Sequence, residues 1–172
     1  MAKVTISVLK TSPRNIVPND AEECLENVLR GVSPADVFTA RGHPNITATN
    51  RKTLEITKDP YVTRRGDCIV ACCAEKAAGE LRRDVLQALT APGVVVVILS
   101  TGSAWDYTAG ETPRVAPTST WRIVVRTSTY VDESTVVIRA GKSAADLDRR
   151  LIQELRRGVH LRVVIGVCPL SV

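Results

Sequence analysis

The chain of 172 residues is 44% hydrophobic and 24% charged, with a net charge of +5 and a pI near 9.1. That balance excludes a disordered chain and supplies a core for one domain or two small fused halves. The longest uncharged apolar run, GVVVVILSTGSAW, is shorter than the roughly 20 residues of a membrane helix, and MAKVTISVLKTSPRNIV lacks the apolar core of a signal peptide, so a cytoplasmic protein without membrane contact is expected. The basic balance admits an anionic small molecule or RNA as partner. With aromatics at 3%, phosphate contact is favoured over base stacking.

In chain order, the first 35 residues predict one strand, VTISVLK, and one helix, DAEECLENVLR, which starts near Asp20 and is stopped by Gly31. They match nothing later in the chain, so 1–35 reads as an N-terminal strand-helix extension and 36–172 as a single α+β domain. Next comes a polar stretch, RGHPNITATNRKTLEITK, from Arg41 to Lys58. Alternation in KTLEITK places Leu54 and Ile56 on a core face and Thr53, Glu55 and Thr57 on a polar one. Carried backwards, it would put Asn50 and Lys52 in the core, so a bulge or turn is expected near Asn50 and Arg51. A hairpin or bent strand would then gather His43, Asn45, Thr49 and Arg51; the plainer alternative is a solvated strand face.

Internal similarity organises the rest. RGDCIVACCAEKAAGELRRDVLQAL (65–89) aligns without gaps to VDESTVVIRAGKSAADLDRRLIQEL (131–155), with eight identities in 25 positions, Lys76/Lys142, Leu81/Leu147 and Leu89/Leu155 among them. Each reads as a strand, a turn with a lysine, and an amphipathic helix, followed by an apolar strand, VVVVILS or LRVVIGV. DVFTARGHP and DYTAGETP echo each other upstream. Two similar β-rich halves, about 36–101 and 102–172, are therefore expected, each with one helix against its sheet. The second helix carries Ser143 as N-cap, Asp146 as capping-box acid, Arg156 and Arg157 in its last turn and Gly158 beyond. TWRIVVRTS reads as a further strand, and GSAWDYTAGETPRVAPTST as turns with one short strand.

Cys24, Cys68, Cys72, Cys73 and Cys168 read first as small core residues, with a disulfide or a reactive thiol left open; C-x3-C-C is not a paired zinc knuckle and no metal is expected. AGKSA at 140–144 fails as a phosphate loop, because the first glycine of that motif falls at Val136. Lys76 and Lys142 nonetheless sit where strand-to-helix turns could hold an anion. In TRRGDC, Asp67 can cap turn amides or pair with an arginine.

ARGHPNITATNRKTLEITKD, followed by RGDCIV and EKAAGEL, resembles an archaeal family of small uncharacterised proteins classed as a domain of unknown function. The resemblance covers residues 36–160, weakening through the second half, and implies an archaeal cytoplasmic protein with no assigned activity. Where the family reads ATH this chain reads ATN; Asn50 neither titrates nor binds zinc well, which weakens a ligand or base role there. The family's run before its first helix is more polar than ACCAEKA, which weighs against a role for Cys72 or Cys73.

The leading expectation is a phosphate-recognising binding protein for a nucleotide, phosphorylated metabolite or RNA, with Arg41, His43, Asn45, Lys52 and Arg65 as contacts and Thr49, Lys76 and Lys142 as further candidates. A rival is a small-molecule enzyme with His43 as acid or base, partnered by Glu55 or Asp67, in a cleft between the halves. A third is a protein-interaction module in which an open sheet edge favours a homodimer. No cofactor is named by these residues.

Overall fold

The computed structural model describes residues 18–170, and the strand expected at VTISVLK lies outside them. Helix α1 (Pro18–Leu29) buries Ala21, Cys24, Leu25 and Val28, the one-face spacing of an amphipathic helix. Gly31, at φ +73°, ends it. The chain then runs through β1 (Ala35–Arg41), β2 (Thr53–Thr57), β3 (Ile69–Ala71), a 3-10 turn (Ala78–Glu80), α2 (Arg83–Ala88) and β4 (Gly93–Ser100). The same order of elements follows in β5 (Trp105–Glu111), β6 (Arg122–Arg126), β7 (Thr135–Val137), a 3-10 turn (Ala144–Asp146), α3 (Arg149–Leu155) and β8 (His160–Pro169). The described chain is thus a mixed α and β fold.

Among the described residues, eight strands form two four-stranded sheets, β1-β8-β4-β5 and β3-β2-β6-β7. The first is antiparallel throughout; the second is antiparallel at its centre and parallel at both flanks. Bridges Arg41–Cys72 and Glu111–Ile138 join the sheets at their two edges. Val95, Val97, Val163 and Ile165 from one sheet meet Leu54, Ile56, Ile123 and Val125 from the other in one core. The runs of β-branched residues in β4 and β8 are what central, doubly covered strands require. Their outer face is covered in part by α1 over Val94, Val96 and Ala109.

Both later helices are shorter than the apolar spacing suggests. Leu81 and Leu147 are buried but extended (ψ 159° and 151°), ending the 3-10 turns before the α-helices begin. A carboxylate on a neighbouring strand binds the backbone at each break: Asp36 accepts from Arg82 N at 2.8 Å and Asp106 from Asp148 N at 2.8 Å. The capping acid Asp146 does accept from Ser143 N at 2.9 Å, but it serves the 3-10 turn, and α3 is capped by Asp148. Among the cysteines, Cys24 and Cys168 form a disulfide between α1 and β8, with Cα atoms 5.7 Å apart, while Cys72 is a buried core thiol as expected. Persistent disulfides belong to oxidising compartments and hyperthermophile interiors.

A candidate anion-binding face on the outer sheet

Side chains on one face of a strand recur every second residue, so the strand register defines rows across the outer face of β5-β4-β8-β1. One row is Trp105, Ser100, Arg162 and Thr39; the next is Tyr107, Ile98, Val164 and Val37. Beyond the first row, Arg41 lies opposite His160. At the other end of the face α1 seats itself on small residues. Val28 packs so closely on Gly166 that a Cβ there would lie 2.3 Å from Val28 Cγ2.

Because α1 stops at Leu29, no described residue covers the Trp105 row. An open groove of about 280 Å³ results, lined by Leu29, Ile98, Ser100, Trp105, Arg162 and Val164. Its floor is aliphatic, one wall is the Trp105 indole and its polar rim is Arg162. Trp105 is 43% exposed yet braced against Tyr107, the ring centroids 6.0 Å apart and nearly parallel. Arg41 and His160 extend the basic rim along the strands, and Arg41 Nη2 reaches the Gly158 carbonyl at 3.5 Å, in the turn that carries Arg156 and Arg157. No carboxylate pairs with Arg41 or Arg162 among the described residues.

The other candidates from the polar stretch are dispersed. Residues 42–52 form an irregular connection rather than a hairpin, with Ala48, not Asn50, in the left-handed region at φ +50°. His43 Nδ1 accepts from Asn45 N at 3.1 Å, and Asn45 Nδ2 donates to Val62 O at 2.9 Å. Asn50 Oδ1 accepts from Lys52 N and Thr53 N, while its amide group donates to Asp67 at 3.1 Å. The Thr49 and Asn50 amides donate to Asp67 O. Thr49, Lys52 and Arg65 are exposed. His43, Asn45 and Asn50 therefore spend their polar groups on the geometry of this connection.

Lys76 and Lys142 already hold anions: Asp36 at 2.8 Å and Asp106 at 2.7 Å. Glu55 lies on the other sheet and, unlike a solvated strand residue, is buried. Burial pushes its carboxyl above the ordinary range, against the pull of Arg122 at 3.3 Å. Arg122 continues to Asp132 and Arg126 in a charge network. Burial works against the charge of Asp132, but hydrogen bonds from Ser134 and Thr135 together with Arg126 outweigh it and hold that carboxyl below its ordinary range. Among the described residues, no hydrogen bond joins His43 to Glu55 or Asp67, and no three His, Cys, Asp or Glu side chains converge as metal ligands. No described helix is long and apolar enough to cross a membrane.

A family model described as a domain of unknown function, DUF371, matches residues 38–168. The chain belongs to the DUF371 family. An uncharacterized protein of Methanocaldococcus jannaschii, MJ0206, is 32% identical over 129 residues, spanning 73% of this chain and 93% of that protein. An archaeal family without an assigned function is what the polar stretch implied. In this DUF371 protein the match begins inside β1, so Arg41, His160 and Arg162 fall within it and α1 falls outside. Of the face, the polar stretch pointed only to Arg41. The signal for the rest was the alternation His160, Arg162, Val164 in HLRVVIGVC, two polar residues on the outward side of an otherwise apolar strand.

Proposed function

We propose that this DUF371 protein binds a phosphate-bearing ligand at the end of the outer sheet face that α1 leaves open. The observation that carries this reading is the register of Arg41, His160 and Arg162. Arg41 and Arg162 lie on adjacent strands, diagonal to one another across the Arg41–His160 and Thr39–Arg162 pairs, with no carboxylate pairing with either arginine among the described residues. A bound anion would offset the repulsion between the two arginines through charge-assisted hydrogen bonds. In this reading the ligand is a soluble small molecule, and Lys52 and Arg65, exposed on connections away from the groove lining, take no part in holding it.

The halves 36–101 and 102–172 are, in the same reading, copies of one structural unit. What supports this is the eight identities, the matched order of elements, and the matched pairs Lys76 with Asp36 and Lys142 with Asp106. Calorimetric titration with inorganic pyrophosphate tests the binding. Arg162→Ala and Arg41→Ala should each weaken it about tenfold and flatten its salt dependence. Binding that ignores both changes, or an absence of binding, would remove the basis of the proposal.

A further inference from the structure

We infer that the ligand of this face is a mononucleotide, its base lying in the groove against Trp105 and its phosphate on Arg162, His160 and Arg41; the inference rests on the phosphate reading above. Although aromatics are few, Trp105 keeps a large exposed ring at the wall of an apolar groove, held in orientation by Tyr107. Base stacking on such a ring is sequence-tolerant and strong. Arg162 lines the groove itself, two strands across from Trp105, roughly 10 Å between backbones, and His160 and Arg41 lie one residue pair further along, on β8 and on the far edge strand β1. A base stacked on Trp105 with a 5′-phosphate met by the long Arg162 side chain bridges that interval, with His160 and Arg41 at its far end. The groove, at about 280 Å³, holds one such unit.

The two pseudo-equivalent halves also argue against a helix as the occupant. The row Trp105, Ser100, Arg162, Thr39 corresponds to Ala35, Gly166, Val96, Ala109, the row on which α1 lies. Small residues there let a helix approach, whereas Trp105 and Arg162 stand up as walls and leave room for a thinner, planar molecule.

The test uses the full chain carrying Trp121→Phe, so that Trp105 is the reporting indole, titrated with guanosine and adenosine 5′-monophosphates and with ribose 5-phosphate. The nucleotides should quench the Trp105 fluorescence and bind roughly 5- to 150-fold more tightly than the sugar phosphate. Read by calorimetric titration, Trp105→Leu should abolish that difference while leaving ribose 5-phosphate binding intact, and Trp105→Phe should restore much of it. Equal affinities, or a preference untouched by Trp105→Leu, would overturn the nucleotide assignment and leave the phosphate site standing. If none of the three compounds binds, and pyrophosphate does not either, both the nucleotide assignment and the phosphate site fall. An oligoribonucleotide that binds far more tightly than the monophosphates, with no dependence on Trp105, would also overturn it.

Discussion

Replacing Asp106 by Ala isolates the interaction that ties β5 to the start of α3. Asp106 Oδ1 accepts from Lys142 Nζ at 2.7 Å and from Tyr107 N at 2.7 Å, and Oδ2 from Asp148 N at 2.8 Å. The side chains of the pair are only 12% and 6% exposed, so removing the carboxylate strands a buried ammonium and a helix-start amide. Breaking such a pair costs about 3–5 kcal/mol, which for a chain of this size lowers Tm by roughly 6–20 °C. The matching change, Asp36→Ala, should cost about 1–3 kcal/mol, the scale of orphaning hydrogen-bonded partners, because Lys76 is a third exposed and can turn to water. Urea denaturation followed by circular dichroism measures both, with an unchanged m-value confirming that only stability moved. The double change Asp106→Leu with Lys142→Met should recover part of the loss. A cost below about 1 kcal/mol for Asp106→Ala, or equal costs at the two positions, would refute the reasoning.

Gly42 sits where a Cβ would lie 1.8 Å from the Leu155 carbonyl oxygen at the end of α3; Gly42→Ala should therefore destabilise by about 3 kcal/mol, at the upper end of the usual overpacking cost, and a neutral result in chemical denaturation would show that α3 can retreat freely. Reducing Cys24–Cys168, which closes a span of 144 residues, should cost up to about 5 kcal/mol, seen as a lower Tm with dithiothreitol that Cys168→Ser reproduces; a Tm indifferent to reductant would contradict it. Asp132, held below its ordinary value of 3.8 in the folded state, contributes stability that is whole above that pH and fades as pH falls below it. Asp132→Asn should flatten this acid loss, and a parallel pH profile would count against the network.

What could be read in advance followed periodicity. Leu54 and Ile56 are in the core as the alternation in KTLEITK requires, and β4, β6 and β8 occur where apolar runs are longest. The helix breaks at Leu81 and Leu147 were invisible because the cause, a carboxylate 42 to 46 residues earlier, is a tertiary contact. The polarity of Glu55 was legible but not its burial, which depends on Arg122 from β6. Most of the candidate face was hidden for a similar reason: Trp105, Arg162 and Arg41 come from three strands, and only register brings them together.

The most direct test of the central claim is an amide NMR titration of the isotope-labelled chain with pyrophosphate. Shifts concentrated at Thr39 to Arg41, Ser100 to Trp105 and His160 to Val164, saturating together, are the predicted result. Shifts confined to the connections carrying Lys52 and Arg65, or scattered over every arginine without saturation, would contradict a site on the outer sheet face.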